Sequence, residues 1–150
     1  TLDTKGFGTE QIELELKEIF PNHTIGRMDL DTTRGKHGYQ KIIGAFEAQE
    51  IDILVGTQML SKGLDFENVS LVGILNADNM LNFPDFRAHE RSYDMMVQVS
   101  GRAGRSKKQG NVAIQTYNPY HQILQQVSTT NYAEMYKEQL QERWQYHYPP

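Results

Sequence analysis

The sequence predicts an α/β fold, with a mostly parallel sheet, helices on both faces and extra helices at the C-terminal end. Three observations predict it. Helical and strand periodicities alternate along the chain. Two strand candidates, 51–55 and 69–75, are compact runs rich in Ile, Leu and Val, as strands covered on both faces are. The C-terminal end then carries two helical patterns with no strand between them. Alternation of this kind marks units in which crossover helices cover a parallel sheet.

Each element has its own signal. Residues 1–8 are polar, contain Gly6 and Gly8, and read as a linker from an upstream region, with Thr1 not a natural start. Thr9 is a helix N-cap candidate with acidic Glu10 in the first turn. Ile12, Leu16, Ile19 and Phe20 follow at helical spacing, and Pro21-Asn22 ends that helix. Residues 24–30 form a short strand candidate with Ile25, Met28 and Leu30, and Asp31-Thr32-Thr33 make a polar loop. Tyr39, Ile42, Ile43 and Phe46 place an amphipathic helix over 38–49. The strand at 51–55 leads into a glycine-marked loop, 56–66, and the strand at 69–75 into a long polar loop, 76–85. A helix over about 86–99 buries Tyr93, Met96 and Val97. Val112, Ile114 and Thr116 alternate in a strand over 111–117, and Asn118-Pro119 fit the cap and first position of a helix that buries Ile123, Leu124 and Val127. Tyr132, Tyr136, Leu140 and Trp144 recur every fourth residue as a core-facing stripe of the last helix, which Pro149-Pro150 terminate. The organisation is thus a linker at 1–8, a main body at 9–128 and a helical extension at 129–150.

Composition narrows the function classes. The 150 residues fit one domain that buries about two thirds of its unfolded surface. A net charge of −4 argues against holding nucleic acid by bulk electrostatics, so any such contact is local and made by loops. With no cysteine there is no disulfide framework and no thiolate zinc site, and a reducing compartment is expected. Five histidines stand without metal-ligand spacing, so the expected metal set is none. The chain has neither a membrane-length apolar run nor, at its start, the pattern of a signal peptide, so no membrane partner is expected.

In parallel sheets, ligands meet the loops at the carboxyl ends of strands, which places 31–33, 56–66 and 76–85 on one edge. The other chemical feature is Gln98-Val-Ser-Gly-Arg-Ala-Gly-Arg105. Arg102 and Arg105 each carry a planar fork of donors suited to phosphate, and Gly101 and Gly104 remove the Cβ atoms that hold a ligand off the backbone. Taken alone, this is equally a basic, glycine-punctuated turn. The chain lacks the Gly-x-x-x-x-Gly-Lys-Ser/Thr phosphate loop and an Asp-Glu pair closing an apolar strand to hold magnesium. Phosphate-facing arginines without a cradle fit a split site, in which the cradle belongs to another domain and these arginines reach across a cleft.

Gly56-Thr57-Gln58-Met59-Leu60-Ser61-Lys62-Gly63-Leu64-Asp65-Phe66 resembles motif V of the superfamily two helicases, and 98–105 resembles their motif VI. Four further stretches resemble the primosomal protein N′ family of bacterial replication-restart helicases. They are Gly8-Thr9-Glu10, Asp29-Leu30-Asp31-Thr32-Thr33, Pro84-Asp85-Phe86-Arg87-Ala88-His89-Glu90-Arg91 and Gln115-Thr116-Tyr117-Asn118-Pro119. The resemblance runs from about Gly8 to Pro150 and implies a second, RecA-like helicase lobe at 9–128. It implies that Arg102 and Arg105 contact the γ-phosphate of ATP, and that Gly63, Asp65 and Gln98 complete the nucleotide-facing set. It implies that Thr57 and Gln58 touch the DNA backbone, with Thr32 and Thr33 on the same edge. ATP with magnesium is held mainly by the absent first lobe. Zinc belongs to the family's absent cysteine-rich module and to no site in this chain, and the isolated lobe is expected to be inactive. The implied partners are forked or single-stranded DNA, the first lobe in cis, and primosome and single-strand-binding proteins, in the cytoplasm of a bacterium at the nucleoid.

Simpler roles stand beside these. Asp65 also suits a turn cap, and Asp29 with Asp31 reads as a solvated strand end rather than a metal pair. Lys107-Lys108 reads as an exposed loop, and Glu90 with Arg91 as a structural ion pair. A non-catalytic RecA-like binding module, or a lobe of a fork-remodelling or excision-repair translocase, are the rival readings of the whole.

Overall fold

Among the described residues, four short strands form two parallel pairs, each closed by helical crossovers. The computed structural model describes residues 8–34, 37–61, 66, 68–104 and 110–149. The chain divides into two compact units, Thr1–Phe66 and Glu67–Pro150, with one strand pair in each. Parallel pairing, intervening helices and a helical C-terminal region all match the α/β expectation. None of the described helices is long and apolar enough to cross a membrane.

In the first unit, α1 (Thr9–Ile19) precedes β1 (Ile25–Met28), α2 (Gly38–Glu47) and β2 (Ile53–Gly56), and a 3-10 turn follows at Gln58–Ser61. The strands align from Ile25 opposite Ile53 to Met28 opposite Gly56. The Arg27 side chain reaches Glu13 of α1 at 3.2 Å, so strand alternation turns Gly26 and Met28 to the other face. The interior is Ile25, Met28, Val55 and Phe66, and Phe46 of α2 meets Phe66 edge-on at 4.8 Å. Thr9 is not the cap of α1. Gly8 holds that position without a side-chain bond, and the Thr9 hydroxyl donates instead to the Asp29 carboxylate at 2.6 Å. A carboxylate is the stronger acceptor, so the hydroxyl leaves the cap for it. Ile12 and Leu16 are half-buried, but Ile19 and Phe20 at the end of the same stripe are exposed.

In the second unit, β3 (Leu71–Ile74) leads through α3 (Ala77–Leu81) and α4 (Ala88–Ser100) to β4 (Asn111–Ile114), then to α5 (Gln122–Thr129) and α6 (Tyr132–Gln145). The polar loop expected at 76–85 contains α3, because Ala77 and Leu81 stand one turn apart and both enter the core. That core joins Ile74, Ala77, Leu81, Tyr93, Met96, Ile123, Leu124, Val127 and Met135. Within the second unit, helices cover one face of β3, a strand expected to be buried on both. Val72 and Ile74 pack against the helical core, while Leu71, on the opposite face of the pleat, is 62% exposed. α5 starts later than Asn118-Pro119 predicts: His121 is its N-cap, and its Nδ1 accepts from the Ile123 amide at 3.2 Å.

The largest correction concerns α6. Met135, Gln139 and Arg143 face inward, whereas Tyr132 is 57% and Trp144 71% exposed. The aromatic stripe is rotated by one residue, about 100°, from the buried one. Polar Gln139 and Arg143 occupy the inner face because partners meet them there. Arg143 pairs with Glu90 and Gln139 donates to Glu142 at 3.3 Å. Glu90 and Arg91 therefore do not pair with each other, since Arg91 binds Asp85 at 2.6 Å.

Candidate functional site

Thr32, Thr33, Thr57 and Gln58 all follow the carboxyl ends of the β1–β2 pair and share one edge of the first unit, as expected. Asp29 shapes the turn there. Its carboxylate accepts from the backbone amides of Asp31 at 3.0 Å and Thr32 at 2.9 Å and from the Thr9 hydroxyl. The Thr33 hydroxyl donates to the Asp29 carbonyl at 2.6 Å, and the Asp29 amide donates to the Thr32 hydroxyl at 2.9 Å. The solvated reading thus fails for Asp29, which is 8% exposed. The Thr9 hydroxyl, then the Thr32 amide and then the Arg27 charge hold its carboxyl down at about 2, against the cost of burial. Asp31 alone remains in solvent, paired with Arg34 at 3.1 Å. At the end of β2, Gly56 admits a close approach. A Cβ there would lie 2.7 Å from the Met28 carbonyl oxygen and from the Leu60 side chain. Thr57 and Gln58 are exposed on the turn that this approach holds.

A second brace forms at the carboxyl edge of β3–β4. The Asp78 carboxylate accepts from the Thr116 hydroxyl and the Tyr117 amide, each at 3.0 Å, and the Tyr117 amide first and then the Thr116 hydroxyl lower its pKa. Asn76, in the left-handed region at φ 52°, donates its amide to the Gln115 side chain at 3.1 Å. His89 and His121 meet edge-on at 5.3 Å. Burial, and then the neighbouring His89, push the His121 pKa down, which keeps its Nδ1 available as the cap acceptor. Among the described residues, no group of three His, Asp or Glu side chains is placed to hold a metal ion.

The arginine stretch lies at the opposite, amino edge of β3–β4. Gln98 is exposed in the last turn of α4, Gly101 caps that helix, and Arg102 is half-buried on the turn that follows. The Gly104 amide donates to the Val69 carbonyl, just before β3, at 3.1 Å, with Gly104 at φ 79°. Gly110, just before β4, lies beneath the same turn. A Cβ on it would stand 2.7 Å from the Ala103 Cβ and closer still to the Gly104 nitrogen. The turn is thereby fixed to the start of both strands. Gly63, Asp65 and Arg105 lie outside the described residues, as do Lys107 and Lys108.

Sequence reasoning did not single out the bracing roles of Asp29, Asp78 and Gly110. Asp29 carried a usable signal, an Asp followed by two Thr at the spacing of a side-chain-capped turn. Asp78 carried none, because its partners lie 38 and 39 residues away.

The chain is similar to known proteins over nearly its whole length. The chain is 47% identical over 145 residues to the replication restart protein PriA of Bacillus subtilis, an alignment covering 97% of the chain and 18% of that relative. It is 45% identical over 145 residues to the Synechocystis protein of the same name, covering 97% of the chain and 17% of the relative. With the Haemophilus influenzae protein it shares 43% over 149 residues, covering 99% of the chain and 20% of the relative. The chain therefore spans about a fifth of the length of these curated relatives. Residues 7–107, which hold both the loop after β2 and the arginine turn, match the helicase conserved C-terminal domain, and the chain belongs to that family.

Proposed function

We propose that the chain is the second motor lobe of an ATP-dependent DNA helicase acting in replication restart and primosome assembly, with the lobe at 9–128 and a helical extension at 129–150. The observation that carries this reading is the family match over 7–107 together with the fixed arginine turn at 101–104. Arg102, set on a turn between Gly101 and Ala103, suits an anion held by a second body. Its role is to meet the γ-phosphate of ATP and neutralise the charge that develops on transfer, a role shared by Arg105, with Gly63, Asp65 and Gln98 as further nucleotide-binding residues. ATP with magnesium supplies the phosphoryl group, and the first lobe holds most of it. Thr57, Gln58, Thr32 and Thr33 fit DNA-backbone contacts, because short polar side chains on one braced edge position a phosphate without reading sequence. Alternate engagement of the arginine turn and that edge gives a translocation cycle. Zinc in this reading belongs to a cysteine-rich module outside these residues, since the chain contains no cysteine. The partners in this reading are forked or single-stranded DNA, the first lobe in cis, and primosome and single-strand-binding proteins at the bacterial nucleoid.

The test is Arg102→Ala in the full-length protein. DNA-stimulated ATP hydrolysis falls by roughly three orders of magnitude or more, in line with an arginine acting across a cleft. DNA binding is largely kept, and turnover at the parental rate would sink the role.

A further inference from the structure

Tyr117 and Tyr120 are 96% and 87% exposed, more than any other large hydrophobic side chain described. Some other exposed rings lean on neighbours, as Phe86 does on Tyr148 at 5.3 Å and Tyr132 on Tyr136 at 6.2 Å. The rings of Tyr117 and Tyr120 meet no other aromatic ring among the described residues, yet the backbone beneath them is firmly held. The Gln115 amide donates to the Ile74 carbonyl at 2.8 Å and the Tyr117 amide to Asp78 at 3.0 Å. The Asn118 amide donates to the Thr116 hydroxyl at 3.0 Å, and the Gln125 side chain to the Pro119 carbonyl at 2.9 Å. A rigid loop that holds two rings out in water is preorganised, so a ligand taking up both rings would not have to order the loop.

Charge narrows the ligand. Residues 109–133 contain no Lys, Arg, Asp or Glu, so the loop itself offers no cation to a phosphate, and Glu138 and Glu142 of α6 line the cavity beside Tyr120. Asp78 is committed to Thr116 and Tyr117. What the edge offers is flat aromatic surface at the carboxyl ends of two parallel strands, where such folds meet their ligands. Unpaired bases have open π-faces, whereas bases within a duplex are already stacked. We propose that Tyr117 and Tyr120 form a stacking site for bases of single-stranded DNA, independent of phosphate contacts. The proposal rests on the motor reading and adds to it a base-facing contact in the second unit.

The test uses the full-length protein and a fluorescent oligothymidine, with binding followed by anisotropy across a salt series. The Tyr117→Ala/Tyr120→Ala pair should weaken binding by about tenfold or more. The slope of log affinity against log salt should stay as in the parent, because no phosphate contact is lost. Tyr117→Phe/Tyr120→Phe should bind as the parent does. Unchanged affinity in the alanine pair, a shallower salt slope, or an equal loss in the phenylalanine pair would each overturn the stacking site. Both side chains are solvent-exposed, so the variants should fold, and their melting temperatures check this. Parental DNA-stimulated ATP hydrolysis measured alongside separates the two ideas. If it is present and the alanine pair binds normally, only the stacking site fails; if the parent shows none, the motor reading fails with it.

Discussion

Replacing Gly110 with alanine puts a methyl group where the arginine turn already lies. The added carbon would stand 2.7 Å from the Ala103 Cβ and nearer to two backbone atoms of Ala103 and Gly104. Ordinary carbon contacts begin at about 3.5 Å, so one backbone must move by roughly 1 Å. Neither is free to do so cheaply. Gly110 precedes Asn111, whose amide is bonded to Ser70 at 2.9 Å, and Gly104 is bonded to Val69 at 3.1 Å. Overpacking of this kind costs about 1–3 kcal/mol, or a fall of roughly 2–10 °C in melting temperature for a chain of this size. The functional effect should be larger than the stability effect. A displacement of about 1 Å at a positioning group can cost on the order of a hundredfold in rate. In the full-length protein, Gly110→Ala should therefore cut DNA-stimulated ATP hydrolysis by about that factor while leaving DNA affinity within twofold or so of the parent. Amide exchange in the 150-residue chain supplies the structural readout, since the Gly104 amide should lose protection once its bond to Val69 is broken. A Gly110→Ala variant with parental melting, parental Gly104 protection and parental turnover would refute the reasoning.

Asp29 gives a pH dependence. Its carboxyl is lowered from 3.8 to about 2 on folding, which amounts to about 2.5 kcal/mol if fully realised and about 1 kcal/mol after solvent screening. A depressed carboxyl stabilises above its unfolded value, and that stabilisation is lost as pH falls from about 4 toward 2. Asp29→Asn should thus melt a few degrees below the parent at pH 5, with the gap closing near pH 2.5; a gap that stays constant with pH would contradict the assignment. On α6, Met135→Ala should cost about 2–5 kcal/mol by opening the core, whereas Trp144→Ser should stay within about 0.5 kcal/mol. Denaturant titration of both variants checks this, and the reverse ranking would restore the aromatic stripe to the core.

What was legible in the sequence was whatever short-range pattern controls. The Tyr93 and Met96 spacing on α4 and the Ile123, Leu124 and Val127 cluster on α5 were read correctly, because one apolar face of a helix has one place to go. α6 misled because it carries two stripes of equal period, and hydrophobicity favours the wrong one. Its inner face is chosen by partners distant in sequence, with Glu90 lying 53 residues from Arg143. Thr9 misled in the same way: its local role as a cap lost to a carboxylate 20 residues away. Of the candidate site, the edge shared by Thr32, Thr33, Thr57 and Gln58 followed from strand order alone. Gly110 did not, because a close crossing of backbones has no sequence period.

Within each unit, the stretches that carry the family resemblance are tied to other elements by side-chain bonds. Thr9 and Asp29 meet directly, so Gly8-Thr9-Glu10 and Asp29-Leu30-Asp31-Thr32-Thr33 form a single structure, a helix start tied to a turn. Gln115 and Thr116 bind Asn76 and Asp78, which fixes the backbone after β4 to the start of α3. In the stretch Pro84 to Arg91, Glu90 reaches Arg143 and Phe86 lies under the same guanidinium at 5.3 Å, which ties α4 to α6. Each of these stretches therefore supplies braces, while Thr57, Gln58, Tyr117 and Tyr120 are among the exposed side chains on the two carboxyl edges. A brace tolerates little substitution because each of its polar atoms has a fixed partner, and a buried group left alone costs about 1–3 kcal/mol. An outward contact is limited only by its ligand. The braces thus give the exposed residues on each edge a rigid base.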